Sequence, residues 1–351
     1  MSKIWCEINK NYLDSNIKKI KELALGKKIM AVLKSNAYGL GIEGVSEVID
    51  SSIDMYAVSN IVEYEKIKTS KDVLIMSPLC SVEDFNYAKE KSNLILTIDN
   101  KDILSSIDKT IKYRVHICID TTNHRIGIPV DVLPSLIEDI ETNYSNIKIE
   151  GIYTHFHNCK NEEETIKQIM SFKSSIKEYQ DRNYIIHCIA SSIMINKKLL
   201  DLCDFTNMIR VGNLIYGFAG INIGIKKTFE FKAKIIQKHA ATKGSLIGFG
   251  ASYHKAKKDT TIGIIEAGNY YGLGCVREMI DNPIKSSMKS IRDNIKGIYY
   301  TYDEKGKGVN IVGRVNMNSI ILDITENPNL DIVKLNISPI LADGCIEKKY
   351  I

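Results

Sequence analysis

Apolar residues fall into short, dense runs at 29–33, 55–58, 73–76, 94–98, 113–119, 147–153, 184–189 and 206–211. Runs of this length, bounded by turn residues, read as strands buried on both faces, as in a parallel sheet. Most of the polar segments between them suit helices. Residues 11–24 put Leu13, Ile17, Ile20 and Ala24 on one stripe with lysines opposite, and 161–181 does the same with Ile166, Ile169, Phe172 and Ile176. Ser81-Val-Glu-Asp has the spacing of a capping box at a helix start. Eight strands alternating with helices predict an α/β fold, a (β/α)8 TIM-like barrel, over residues 8–227.

After about residue 227 the grammar changes. Phe229-Glu-Phe-Lys-Ala-Lys-Ile alternates apolar and polar with period 2, as a strand with one buried face does. Thr261 to Ala267, Gly308 to Gly313, Val315 to Ile324 and Asp331 to Leu335 are further strand candidates, and no long helical stripe survives. Residues 228–351, with 1–7, are therefore expected to form a mainly β C-terminal domain.

Composition sets limits on function. A chain of 351 residues, 44% hydrophobic and 25% charged, is an ordinary globular protein of two domains. The net charge of +5 is spread among nearly as many acids, and the longest basic cluster, Lys255 to Lys258, lacks aromatic partners. No nucleic-acid partner is expected. No stretch approaches the ~18 apolar residues of a membrane span, and the N-terminus lacks the apolar core of a signal peptide. A cytoplasmic location follows as the expectation. Eight cysteines without a CxxC pair predict reduced thiols, and no spacing suggests a metal site.

The chemistry begins at the first buried strand. The run Ile29 to Leu33 ends at Lys34, and a Ser/Asn/Gly-rich turn follows at once. Strand ends of this kind carry the active sites of α/β barrels. By position alone Lys34 is either a side chain that snorkels to water or a nucleophilic, Schiff-base lysine.

The residues from Ala31 to Gly41 read AVLKSNAYGLG. They closely resemble the cofactor-lysine motif of the alanine racemase family, AV-x-K-[AS]-NAYG-x-G. Other segments fall in line in order. Cys118 to Gly127 resembles DTGM-x-RxG, Gly151 to Phe156 resembles G-[LIV]-x-TH-[FM], and His187 to Ser191 resembles HxANS. Asn207 to Gly217 resembles RxGxxxYG, Gly248 to Tyr253 resembles SYG-x-TY, and Ile311 to Asn318 resembles VGR-x-CMD.

This resemblance implies a homodimeric, pyridoxal 5'-phosphate-dependent racemase of a small amino acid, alanine by default. Lys34 would carry the cofactor and exchange a proton on one face of the substrate, and Tyr253, delivered across the dimer, would exchange it on the other. Tyr38, His155, Ser191, Arg210, Gly212, Asn213 and Tyr216 would bind the cofactor, with His155 stacked on the pyridine and Ser191 on the phosphate. Arg125 would bind the substrate carboxylate, and Met317 would line the pocket. Arg210 would face the pyridine nitrogen. An arginine keeps its protons, so that nitrogen stays unprotonated, which favours racemisation over decarboxylation. The chain departs from the motifs at Cys118, where many members have a carbamylated lysine, and at Thr122, Asn123, Ala190 and Asn318. Asn269-Tyr-Tyr-Gly272 stands where the family reads YADG. Serine or another small substrate stays open, as does a cofactor-binding paralogue without turnover.

Overall fold

The structure, a computed structural model, describes residues 3–76, 81–121, 124, 126–157, 159–218, 223–248, 253–275, 284, 287–288 and 300–351. The chain divides into two compact units. One comprises Lys10–Ala37 and Gly41–Thr228; the other comprises Met1–Asn9, Tyr38–Leu40 and Phe229–Ile351.

The chain opens with β1 (Ile4–Ile8), which belongs to the second unit. In the first unit all eight apolar runs become strands: β2 (Lys28–Val32), β3 (Met55–Val58), β4 (Val73–Ile75), β5 (Leu94–Ile98), β6 (Tyr113–Asp120), β7 (Ile147–Thr154), β8 (Ile185–His187) and β9 (Met208–Val211). They pair in parallel in chain order, and β9 returns to β2. A parallel bridge between Ile189 and Ile209 spans the last gap, where the Arg210 N–H donates to the Ile189 carbonyl at 2.8 Å. The strands thus close into a barrel. Every residue of β3 and of β5 is buried, which is why these runs show no alternation.

Helices cover the strands as the stripes require. Helix α1 (Lys10–Leu23) buries Leu13, Ile17 and Ile20 together with Asn16. Burying that amide is tolerable because it is satisfied: Asn16 donates to the carbonyls of Ile215 at 3.0 Å and Lys226 at 2.7 Å, and accepts from the Lys226 N–H at 2.8 Å. The capping box forms, with the Asp84 N–H on Ser81 Oγ at 3.2 Å and the Ser81 N–H on Asp84 Oδ2 at 2.8 Å. The 161–181 stripe is α-helical over Glu162–Ser175 and continues as a 3-10 turn over Lys177–Arg182.

The second unit is a mainly antiparallel sheet. Its strands after β1 are β10 (Phe229–Ala241), β11 (Thr260–Ile265), β12 (Thr301–Tyr302), β13 (Asn310–Val312), β14 (Ile320–Asp323), β15 (Ile332–Leu335) and β16 (Glu347–Tyr350). Their order is β12-β15-β10-β11-β14-β13, and β1 lies antiparallel to β10 and parallel to β16. An irregularity between Ile235 and Gln237 divides β10, so that its first half pairs with β1 and β15 and its second with β11. The strand predicted from Val315 begins only at Ile320, because Asn316, Asn318 and Ser319 favour turns over a ladder. Among the described residues, no helix is long and apolar enough to cross a membrane.

Candidate active site

Lys34 stands two residues beyond the last residue of β2, at the strand's C-terminal end. The chain turns there in an unusual way. Ser35, Asn36, Ala37 and Tyr38 all have left-handed backbones, with φ between 53° and 57°. Each such residue with a Cβ costs roughly 1–2 kcal/mol, so the surroundings must hold the turn. Glu63 does most of this. Its Oε1 accepts the Asn36 N–H at 2.9 Å and its Oε2 accepts the Ser59 N–H at 2.9 Å. The Asn36 side chain in turn accepts the Ile42 N–H at 3.0 Å, and its carbonyl accepts the Gly41 N–H at 3.0 Å. Within the second unit, Gly39 (φ 85°) packs so tightly that a Cβ would lie 1.9 Å from the Pro339 carbonyl oxygen. Beside it the Tyr350 hydroxyl donates to the Leu40 carbonyl at 2.9 Å.

Arg210, on β9, is 4% exposed. Its guanidinium donates to the Thr154 carbonyl at 2.7 Å and meets His187 Nδ1 at 2.9 Å, and its Cζ lies 4.8 Å from the centre of the Tyr153 ring. Every one of these partners is neutral. Among the described residues no carboxylate pairs with this cation, although buried charges are normally paired. Burial pulls the Arg210 pKa down, yet a guanidinium stays protonated. His187 is stacked on Tyr153 (4.8 Å between centroids, 11° between planes) and its Nε2 meets His116 Nδ1 at 3.0 Å. Both imidazoles are neutral: burial pushes His116 down to about 3 and His187 well below its ordinary value.

A second group gathers at the ends of β8 and β9. Ser191 begins a short helical turn (Ser191–Met194), and its Oγ accepts the Gly212 N–H at 3.4 Å. Gly212 precedes the turn Asn213–Tyr216, whose first N–H groups point away from their own turn. Tyr216 is fully buried and donates to the Val32 carbonyl at 3.2 Å, which ties it to the strand that carries Lys34. The structure therefore brings Lys34, Ser191, Arg210, Gly212, Asn213 and Tyr216 to the C-terminal ends of barrel strands. His155 follows the last residue of β7 and is exposed.

Tyr38, Tyr253 and Met317 belong to the second unit. Tyr253 is 56% exposed, next to a short ladder that pairs Ile247 with His254, and Met317 is 67% exposed. Arg125, with Thr122, Asn123 and residues 249–252 of the Tyr253 motif, lies outside the described residues. Cys118 is a buried thiol that desolvation pushes up to about 12, so it supplies no anion. Asp99 follows the last residue of the neighbouring strand β5; its Oδ2 is buried without a partner among the described residues, and burial raises its pKa to about 7.

The sequence pattern alone marks none of His116, Tyr153 and Glu63, and it marks His187 only through a motif. For Glu63 no local signal existed, since an acid in a short helix is ordinary. For the histidines the signal was their position: a polar residue inside an otherwise apolar strand run.

The fold and this cluster define a barrel enzyme with a lysine at the end of its first barrel strand and the Ser191–Gly212 pair at the ends of β8 and β9, the latter paired with that strand. The alanine racemase N-terminal domain model matches residues 8–220 and the alanine racemase C-terminal domain model matches residues 228–338. The chain belongs to the alanine racemase family, a family of pyridoxal phosphate-dependent racemases. It is 27% identical over 333 residues to an alanine racemase of Legionella pneumophila (strain Lens), covering 90% of this chain and 85% of the relative. It is 28% identical over 291 residues to alanine racemase 2 of Clostridium acetobutylicum, covering 77% and 71%. In fold it is similar to the alanine racemase of Clostridium difficile 630, with a TM-score of 0.82 and 21% identity over 100% of this chain and 96% of the other.

Proposed function

We propose that this chain is a pyridoxal phosphate-dependent racemase that interconverts L- and D-alanine as a homodimer. The observation that carries the reading is Arg210: a buried guanidinium whose acceptors among the described residues are all neutral. Such a cation suits a ligand that presents a neutral acceptor, as an unprotonated pyridine nitrogen does. A carboxylate in its place would suit a protonated ring. The rest of the cluster fits the same group. Lys34 offers an amine for a carbonyl, and Ser191 Oγ with the N–H groups of Gly212 and Asn213 suits a phosphate. Tyr38, His155 and Tyr216 complete the set that would hold the cofactor.

Bound at Lys34, the cofactor would draw electrons from the substrate and make its α-hydrogen acidic. The chain's own groups do the rest. Lys34 Nζ takes or gives the proton on one face, and the Tyr253 hydroxyl of the partner subunit serves the other. Two proton-carrying groups on opposite faces are the minimum that inversion at one carbon requires. Arg125 would orient the substrate by its carboxylate, a match for the guanidinium fork, and Met317 of the partner subunit would limit the pocket to a small side chain.

Chiral analysis of a panel of L-amino acids, with purified protein, added cofactor and Lys34→Ala as blank, tests this. D-alanine from the wild type alone is the expected result. D-serine in its place moves the substrate, and no D-isomer from a cofactor-loaded protein refutes the enzymatic reading. The shared site has its own test: mixed dimers of Lys34→Ala and Tyr253→Phe should regain activity that neither parent has.

A further inference from the structure

Three buried side chains on β6, β8 and β9 form one hydrogen-bonded line: His116, His187 and Arg210, with contacts of 3.0 and 2.9 Å. Neither histidine has any exposed surface. The direction of every hydrogen can be assigned. Arginine only donates, so His187 Nδ1 must be the acceptor, and the single proton of neutral His187 sits on Nε2. That N–H points at His116 Nδ1, which must also accept. The proton of His116 then sits on its own Nε2. This atom is buried and has no partner among the described residues.

A histidine that leaves an N–H unpaired in the core is unfavourable where an apolar side chain would pack. The barrel is nonetheless shaped to admit it. His116 on β6 and His187 on β8 are separated by β7, and His116 pairs in register with Gly151 of that strand. A Cβ on Gly151 would lie 2.6 Å from the Ile185 carbonyl oxygen and 2.8 Å from both Cε1 and Nε2 of His116, so glycine makes room for the neighbouring backbone and for the ring. Glycine therefore opens the path by which one ring reaches the other. The β6–β7 register also shifts by one residue between Val115 and His116, as a bulge does when it re-aims a side chain. Two local irregularities thus serve one contact.

We propose that His116 is a positioning residue for Arg210: through Nδ1 it locks His187 in the tautomer that accepts from the guanidinium, and so sets the direction in which Arg210 faces the cofactor ring. This inference rests on the cofactor reading above for its consequence, although the line itself does not. Without the acceptor on His116, the His187 proton has no partner on Nε2. A shift of that proton to Nδ1 would oppose it to the Arg210 N–H and turn the guanidinium away.

Two variants and two readouts test it. His116→Phe keeps a ring and removes the acceptor; His116→Asn places an amide oxygen close to where Nδ1 was. Histidine 15N spectra of the wild type, with and without added pyridoxal phosphate, should show two buried neutral rings protonated at Nε2. In His116→Phe the His187 signal should lose that single tautomer, the absorption band of bound cofactor should shift, and kcat for alanine should fall 10- to 100-fold with KM within threefold. His116→Asn should restore the tautomer and band, with kcat within fivefold of wild type. The proposal is overturned if His187 keeps its tautomer in His116→Phe. It is equally overturned if both variants lose activity together with an unchanged cofactor band and the same drop in Tm, since His116 is then only part of the scaffold. Should the wild type racemise nothing, the function reading fails while the His187 tautomer still decides the line.

Discussion

Arg210 Nη1 lies 2.9 Å from His187 Nδ1, and a carbonyl, that of Thr154, takes a second hydrogen bond at 2.7 Å. The guanidinium is therefore fixed at two points by groups that bear no charge. Lysine cannot reproduce this fork. Arg210→Lys should retain the fold and lose one charge-assisted hydrogen bond, worth roughly 1.5–3 kcal/mol. Alanine racemisation should slow by about 10- to 100-fold. Steady-state kinetics check it, and a variant as fast as the wild type would show that the fork has no part in turnover.

Glu63 is the brace of the lysine turn. Glu63→Ala strips the Asn36 and Ser59 N–H groups of their acceptors, each held at 2.9 Å. An unpaired buried donor costs about 1–3 kcal/mol, and water reaching these half-buried groups favours a loss near ~2–3 kcal/mol in total. Urea unfolding measures it. Cofactor affinity should fall as well, because Lys34 sits at the start of the turn that relaxes. A stability loss below ~0.5 kcal/mol with normal cofactor binding would mean the left-handed turn holds itself.

Asp99 gives a pH dependence with a defined sign. Burial raises its folded pKa to about 7 from an ordinary 3.8. Its contribution to stability is fully present below about 3.8 and is lost as pH rises through about 7. Asp99→Asn removes this loss. The variant's stability relative to wild type should thus increase between pH 4 and pH 7 and level off above, read from urea midpoints at matched pH. Parallel curves would refute the assignment, and the opposite slope would reveal a cation beside the carboxylate.

Much of this architecture was legible because strand runs buried on both faces are hard to mistake. All eight runs became barrel strands, and the capping box at Ser81 formed as its spacing required. What was not legible depended on distance in sequence. The β10 strand continues to Ala241, beyond the alternation that announced it, because β11 supplies the ladder of its second half. The left-handed run at Ser35–Tyr38 is invisible to propensity, since only contacts such as Glu63 sustain it. The lysine, the β9 arginine and the Ser191–Gly212 pair could be picked from their motifs. The His116–His187 line could not, because it joins residues 71 positions apart across an intervening strand. Chemistry carried by one segment was readable, and chemistry made by the barrel's closure was not.

Proton exchange at the α-carbon of alanine by this chain's own groups is the step that defines the proposed reaction. L-alanine incubated with the cofactor-loaded protein in deuterium oxide, followed by chiral separation and mass analysis, tests it most directly. D-alanine should accumulate with one solvent deuterium, and Lys34→Ala should form none. Cofactor bound at Lys34 with no D-alanine, or D-alanine formed equally by Lys34→Ala, would contradict it.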